Sequence, residues 1–107
     1  MGQLVIHRSP PDADHVVTLT LTGELDVINI SQFRAAVVLI LRTDARNLLV
    51  DLDGITWCDN GSLYSILGAQ HAARKAGGSL AITTASTPVR EALDHNGLRE
   101  RLSVIDR

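Results

Sequence analysis

The chain has 107 residues, 45% of them hydrophobic and 21% charged, which suits one domain that buries an aliphatic core and needs no metal or disulfide to fold. Its formal net charge of −2, with the histidines counted as neutral, argues against non-specific electrostatic binding to nucleic acid or to anionic lipid. The single cysteine, Cys58, cannot form an internal disulfide, and no apolar segment has the length of a membrane span, so we expect a cytoplasmic protein.

The first part of the chain predicts a β-hairpin followed by a helix. A short strand at residues 3–7 and a strand of alternating apolar residues and threonines at 15–23 are separated by a turn at 9–14 that contains two prolines and two aspartates. A loop then leads to Ser31, the expected N-cap of the first helix. This helix has so many apolar residues that we expect most of its surface to be covered: Phe33, Val37, Val38, Leu39, Ile40 and Leu41.

The middle of the chain predicts two strands joined by a second helix. The continuous apolar run at 47–55 is typical of a strand that is covered on both faces, and residues 79–83 form a further apolar strand. The helix between them begins after Asp59 or Asn60, either of which can cap it, and stops at Gly77, a residue suited to a left-handed helix end.

The last part predicts a third helix and one final element. Thr87 is the expected N-cap, Pro88 occupies the first helical position, and Asn96 and Gly97 end the helix. Residues 98–106 form either a short helix or an edge strand. An initial hairpin followed by alternating helices and strands indicates a single α/β domain with a mostly parallel sheet, spanning residues 1–107.

Three aspartates near the end of the central strand are the first candidates for chemistry. Asp51, Asp53 and Asp59 could hold Mg²⁺ or act as acid and base, but aspartate is also a favoured turn and capping residue, and we favour that interpretation. The histidines form no triad-type signature, zinc-ligand spacing is absent, and no glycine leads into a phosphate-binding loop of the Walker type. We therefore expect no catalysis and no cofactor.

The start of the second helix is the other candidate. The main-chain N–H groups of a first helical turn are partly unpaired and favour an anion, and Ser62 offers a hydroxyl there. A phosphate on such a hydroxyl would add almost two negative charges at one point. The simpler alternative is a serine that only hydrogen-bonds locally.

Three segments give the chain a family resemblance. Residues 21–34 (LTGELDVINISQFR), the turn at 59–63 (DNGSL) and residues 77–98 (GGSLAITTASTPVREALDHNGL) resemble the STAS domain family, the anti-sigma factor antagonists. The resemblance implies a mixed sheet of four to five strands that begins with a β-hairpin, with helices mainly on one face. It also implies a protein that binds an anti-sigma factor of the serine-kinase type and so releases a sigma factor.

The family is regulated by phosphorylation at the start of the second helix, and a phosphatase reverses it. The family motif is Asp-Ser-Ser/Thr-Gly-Leu, with the acceptor in third place. Here Asp59 and Leu63 match, but Gly61 occupies the acceptor position and Ser62 stands where the family has glycine. Moving a residue by one place turns its side chain by about 100° on a helix, so Ser62 is a misplaced acceptor.

Two hypotheses follow for regulation. In the first, a partner kinase that fits the altered turn phosphorylates Ser62. In the second, which we favour slightly, this turn cannot be switched, and the protein binds constitutively or responds to another input. The residues expected to bind the partner lie in two segments: Glu24, Asp26, Asn29, Asp59, Asn60, Gly61, Ser62 and Tyr64.

Other expectations concern anchors, assembly and alternative functions. Tyr64 is a natural aromatic anchor, whereas Trp57 is more easily explained as a buried residue. We expect no direct contact with nucleic acid or membrane, and a monomer or weak dimer. The alternative function is a STAS module that binds a nucleotide or acts as a scaffold in a signalling assembly, and an enzyme acting through its aspartates is a more distant one.

Overall fold

Strands and helices alternate after an initial pair of strands, as the sequence predicts. The computed structural model describes residues 2–105. The elements in chain order are β1 Leu4–Arg8, β2 Val16–Leu25, α1 Ile30–Leu41, β3 Asn47–Cys58, α2 Asn60–Lys75, β4 Ser79–Ala85 and α3 Thr87–His95.

The four strands form one mixed sheet in the order β1-β2-β3-β4. β1 lies antiparallel to β2, with Leu4 opposite Gly23, whereas β3 runs parallel to both of its neighbours. The predicted hairpin and the mixed sheet are therefore confirmed. β2 continues to Leu25, beyond the predicted end at residue 23, so the loop that follows it begins at Asp26.

One face of the sheet forms the core. Leu48, Val50 and Leu52 of β3 are completely buried, while Leu49 and Asp51 between them are only partly buried. The interpretation of β3 as a strand covered on both faces is therefore wrong. A parallel strand is buried on both faces only where helices cover both, and here they pack mainly on one.

Helix α1 begins two residues earlier than expected. Asn29, not Ser31, is its N-cap, and Ile30 is its first residue. The hydroxyl of Ser31 lies inside the first turn and donates a hydrogen bond to the carbonyl oxygen of Ile28 at 3.0 Å. The prediction failed because the loop before α1 is organised by Asn29, as described below.

The apolar residues of α1 divide between two faces. Phe33, Val37 and Ile40 are buried in the core, as predicted. Val38 and Leu39, however, are 49% and 55% exposed, so the expectation that most of this helix is covered is wrong. Only some of the apolar residues of this helix therefore face the core.

The two remaining helix ends are close to the predicted ones. Gly77, in the left-handed region at φ +86°, ends α2 as expected. Ser86 is the N-cap of α3, and Thr87, the expected cap, is its first residue. The proline therefore sits at the second helical position, where its missing N–H is still harmless.

The C-terminal segment is neither a helix nor a full strand. After a turn at residues 98–102, the carbonyl oxygen of Ser103 accepts a hydrogen bond from the N–H of Ile82 at 2.8 Å. The N–H of Ile105 donates to the carbonyl oxygen of Ile82 at 2.7 Å, and Val104 forms an isolated parallel bridge with Ile82. This segment thus pairs with the edge of β4; Asp106, the end of the predicted element, lies outside the described residues.

Candidate partner-binding site

The two segments expected to bind a partner meet at one edge of the sheet. Because β2 and β3 are parallel, both strands end at the same edge, and Leu25 pairs directly with Cys58. The loop that follows β2 therefore lies beside the start of α2. We call residues 23–29, Trp57 and residues 59–64 the docking surface.

Asp59 joins the two segments through both oxygens of its carboxylate. Its Oδ1 accepts a hydrogen bond from the N–H of Ser62 at 2.8 Å, which caps α2 as predicted. Its Oδ2 accepts from the N–H of Val27 at 2.9 Å, across 32 residues of sequence. The N–H of Asp59 also donates to the carbonyl oxygen of Leu25 at 3.1 Å. One side chain thus fixes the loop against the helix.

Asp26 and Asn29 organise the loop itself. Oδ1 of Asp26 accepts hydrogen bonds from the N–H groups of Ile28 at 2.9 Å and Asn29 at 2.6 Å. Oδ1 of Asn29 accepts from the N–H of Asp26 at 3.0 Å, and its Nδ2 donates to the carbonyl oxygen of Glu24 at 2.8 Å. Asn29 is only 6% exposed, so it holds the loop together rather than offering itself to a partner.

These hydrogen bonds favour the charged form of Asp26. The N–H of Asn29 is the largest cause that lowers the pKa of the Asp26 carboxyl from its ordinary value of 3.8. Partial desolvation opposes this, and the N–H groups of Ile28 and Gly2 add to the lowering. The carboxylate therefore stays ionised throughout the neutral range and keeps its acceptor role.

Exposed apolar side chains occupy the docking surface between these polar anchors. Val27 is 62% and Ile28 76% exposed, and Tyr64 is 46% exposed. Trp57 is 49% exposed, so the expectation that it is buried is wrong. The sequence analysis included Val27 and Ile28 only as part of a loop. Two apolar residues between Asp26 and Asn29, in an otherwise polar loop, were the signal that could have indicated an exposed binding group. Large exposed aromatic and aliphatic groups of this kind are typical of binding surfaces.

Gly61 lies against the loop where a larger residue would not fit without movement. A Cβ at this position would lie 2.5 Å from Cγ1 of Val27 and 3.8 Å from Oδ1 of Asp59. Val27 is mostly exposed and can turn away, so the cost of a side chain here depends on that one residue. Glycine permits the close contact between the loop and α2.

Ser62 lies inside the first turn of α2 and is completely buried. Its hydroxyl donates a hydrogen bond to the carbonyl oxygen of Asp59 at 2.9 Å, and its N–H is taken by the Asp59 carboxylate. Such a hydroxyl is not accessible to an external phosphate donor unless the first turn opens. This geometry favours the hypothesis that the turn is not switched at Ser62.

Asn60 is exposed and connects the docking surface to α3. Its Oδ1 accepts a hydrogen bond from Nδ2 of Asn96 at 2.9 Å, and the same Nδ2 donates to the carbonyl oxygen of Ala92 at 2.8 Å. The end of α3 is thus adjacent to the start of α2, a contact across 36 residues that sequence reasoning missed.

A cavity of about 310 Å³ opens on the docking surface. Gly2, Glu24, Asp26 and Trp57 line it. Two carboxylates beside a half-exposed indole form an environment suited to a cationic side chain of a partner, by charge attraction and by contact with the ring face.

Two of the three aspartates considered for metal or acid–base chemistry have separate structural roles. Oδ1 of Asp51 accepts hydrogen bonds from Oγ1 of Thr84 at 2.5 Å and from the N–H of Asp53 at 2.9 Å, whereas Asp59 caps α2. Within residues 2–105, no group of three or more acidic, histidine or cysteine side chains could hold a metal ion.

Cys58 precedes the docking surface at the end of β3. Burial raises the pKa of its thiol above the ordinary value of 9.0, and the charge of Asp59 adds to the effect. The thiol is therefore protonated at neutral pH and a weak nucleophile. Its Sγ lies 4.0 Å from the carbonyl oxygen of Pro88.

Among residues 2–105, no helix combines the length and apolar character required to cross a membrane.

Comparison with known families places the fold. The family model described as "Mlab, STAS domain" matches residues 9–105, which is most of the chain. The chain therefore belongs to the STAS domain family, and the resemblance stated from the sequence is confirmed.

Similar solved structures share this fold at low sequence identity. The anti-sigma factor antagonist SpoIIAA in its unphosphorylated form has a TM-score of 0.76 and 19% identity, over 98% of this chain and 88% of that chain. An anti-sigma factor antagonist from Mycobacterium paratuberculosis has a TM-score of 0.80 and 16% identity, over 96% and 86% of the two chains. The Bacillus cell fate determinant SpoIIAA in its phosphorylated form has a TM-score of 0.72 and 18% identity, over 96% and 91%.

Proposed function

We propose that this chain is an anti-sigma factor antagonist that binds an anti-sigma factor of the serine-kinase type in the cytoplasm and so releases a sigma factor. The observation that carries the proposal is the single carboxylate of Asp59, which joins the loop after β2 to the start of α2. These segments are two of the three that carry the family resemblance. Their exposed apolar groups and acidic cavity supply a surface for a protein partner, and the function requires no turnover by this chain.

We further propose that the docking surface is not switched by phosphorylation. Gly61 has no hydroxyl, and Ser62 is buried with its hydroxyl already bonded to Asp59. One of the similar structures is of SpoIIAA in a phosphorylated form, so a protein with this fold accepts phosphate. In this chain the exchange of serine and glycine removes the accessible acceptor. A phosphatase then has no substrate here, and binding is constitutive or answers to another input.

Binding and phosphorylation of purified proteins test both statements. The wild-type chain is titrated into the cognate anti-sigma factor bound to its sigma factor, with and without ATP, and phosphosites are mapped. We expect sigma factor release and no phosphate on Ser62, with the affinity unchanged by ATP. Failure to bind contradicts the antagonist function, whereas phosphate on Ser62 contradicts only the missing switch.

Restoring the family acceptor provides the matched comparison. Gly61→Ser places a hydroxyl at the acceptor position, and adding Val27→Ala makes room for its Cβ. We expect the double variant to be phosphorylated and then to dissociate from the kinase, because a charge of almost −2 appears beside Asp59 and would lose its water where the partner covers the surface. Val27→Ala alone serves as the control for the lost apolar contact. A double variant that binds but never takes phosphate would show that position 61 is not what prevents switching.

A further inference from the structure

Asn60 and Gly61 form an asparagine–glycine pair in the middle of the docking surface. In such a pair the main-chain nitrogen of glycine can attack the side-chain carbonyl carbon of asparagine, since glycine has no Cβ to obstruct the approach. We propose that Asn60 is a self-modification site, at which loss of ammonia installs a negative charge on the docking surface without a kinase.

The reaction needs only water. The nitrogen of Gly61 forms a bond to Cγ of Asn60, and the bond from Cγ to Nδ2 breaks. The proton of the Gly61 nitrogen leaves with Nδ2 as ammonia, and a five-membered succinimide remains. Water opens this ring at either carbonyl to give aspartate or isoaspartate, each of which ionises. One amide becomes one carboxylate, with no oxidant or cofactor.

The hydrogen bonds around Asn60 leave both the nucleophile and the leaving group free. Gly61 lies in the first turn of α2, where N–H groups have no partner within the helix, and the Asp59 carboxylate takes the N–H of Ser62 instead. Within residues 2–105, neither the nitrogen of Gly61 nor Nδ2 of Asn60 has a hydrogen-bond acceptor outside its own helix. The reaction therefore does not first require the loss of a hydrogen bond from either nitrogen to another part of the protein.

Among residues 2–105, the one hydrogen bond of the Asn60 side-chain amide activates it. Nδ2 of Asn96 donates a hydrogen bond at 2.9 Å to Oδ1 of Asn60, the oxygen on which negative charge develops when the Gly61 nitrogen adds. A donor aimed at a developing oxyanion lowers the barrier to its formation. Asn96 is thus a positioning and polarising residue for the modification of its neighbour.

The second asparagine–glycine pair in the chain has the opposite arrangement. The leaving nitrogen of Asn96 donates to the carbonyl oxygen of Ala92 at 2.8 Å as well as to Asn60, and the N–H of Gly97 donates to the carbonyl oxygen of Asp94 at 3.2 Å. Both reacting groups are engaged, so Asn96 should react more slowly than Asn60. Asn29 and Asn47 precede a β-branched and a γ-branched residue, which hinder the same attack.

The attack also requires the first turn of α2 to open briefly, because a helical backbone directs the Gly61 nitrogen along the axis and away from its own asparagine. Glycine at this position lowers the cost of that opening relative to other residues. The aspartate product is compatible with the folded state, since a carboxylate in the first turn is favoured by the helix dipole.

Mass spectrometry of the intact, folded chain after incubation at neutral pH tests the chemistry. We expect acid to appear at Asn60 before Asn96, and Asn96→Ala to slow the conversion of Asn60 roughly fivefold through loss of one hydrogen bond. Asn96→Asp, which replaces the donor by a carboxylate while keeping the size of the side chain, should slow it as well. Modification at Asn96 first, or rates at Asn60 that neither variant lowers, would overturn the proposal.

The effect on binding rests on the function proposed above and is measured separately. Asn60→Asp copies the aspartate product, and Asn60→Gln keeps the amide but cannot form the same ring. We expect the affinity of Asn60→Asp for the cognate anti-sigma factor to be roughly tenfold below that of Asn60→Gln, because a partner that covers the new carboxylate removes its water, while the partner's cationic groups are directed to the cavity beside Glu24 and Asp26. Equal affinities would overturn the regulatory role. If the wild type does not bind at all, the proposed function fails, and the mass measurement still decides the chemistry by itself.

Discussion

Two acidic side chains on the docking surface, Asp26 and Asp59, hold the main chain in place by hydrogen bonds. Asp59 uses its two oxygens to cap α2 and to hold Val27, and Asp26 receives the N–H groups of Ile28 and Asn29. Each carboxylate accepts hydrogen bonds from main-chain N–H groups that have no carbonyl partner in the loop or in the first helical turn. Losing either charge should therefore disturb the shape of the surface as well as its potential.

The lowered pKa of Asp26 predicts a pH dependence of stability. A carboxyl with a depressed pKa in the folded state stabilises the fold above its ordinary pKa of 3.8 and loses this contribution as the pH falls through the lower folded value. We expect Asp26→Asn to be less stable than the wild type at neutral pH and the difference to shrink below pH 3.8. Urea unfolding at several pH values measures it, and a difference that does not change with pH would contradict the assignment.

At the scale of elements, the outer edge of β4 is partly covered by the C-terminal segment. Ile82, which is completely buried, both donates to Ser103 and accepts from Ile105. An uncovered edge of a sheet presents unpaired N–H and C=O groups to other chains. Two hydrogen bonds from an otherwise irregular segment satisfy the edge at Ile82.

Replacing one donor of this segment tests its contribution. Ile105→Pro removes the N–H that bonds to Ile82 and leaves a buried carbonyl without its partner, so we expect a loss of about 1–3 kcal/mol in the free energy of unfolding. Ile105→Ala keeps the N–H and should cost less, since Ile105 is 43% exposed. Chemical denaturation compares the two variants. Equal losses would mean that the side chain, not the hydrogen bond, matters.

At the scale of the whole molecule, the acidic cavity is confined to one end of the sheet. Glu24 and Asp26 lie beside Trp57, near the ends of β2 and β3. The overall charge is only −2, so long-range attraction of a partner depends on this local concentration.

Neutralising the cavity should slow association with a basic partner surface. We expect Glu24→Gln to lower the association rate with the cognate anti-sigma factor roughly two- to tenfold at low salt, and the difference to vanish at high salt. Asp14→Asn is the matched control, because Asp14 precedes the start of β2, some ten residues or about 30 Å from its end. Surface plasmon resonance at several salt concentrations measures the rates. A change in dissociation alone would argue against steering.

Local signals predicted most elements, and their failures share one cause. The alternation of β2, the cap at Asp59 and the stop at Gly77 all depend on neighbours in sequence, and the structure confirms them. The exposure of Val38 and Trp57 does not depend on neighbours in sequence. An apolar residue is buried only where another element covers it, and the sequence does not state which face each element turns to the core.

The candidate site also has features that the sequence predicted and features that it did not. The family motifs identified both of its segments, and the parallel arrangement implied by alternating strands and helices brings them to one edge of the sheet. Nothing local indicated that Asn29 would be buried or that Asn96 would reach Asn60. Those contacts join positions that are distant in the chain or depend on how a loop closes upon itself.

The sequence by itself determined the order of strands and helices, the membership of the STAS family and the absence of a hydroxyl at position 61, because each is written in residue type and spacing. Only the tertiary structure decided that the hydroxyl of Ser62 faces inward. That orientation depends on the rotation of α2 about its axis, which is set by the packing of Leu63 and Ile66 against the sheet and by the hold of Asp59 on the first turn.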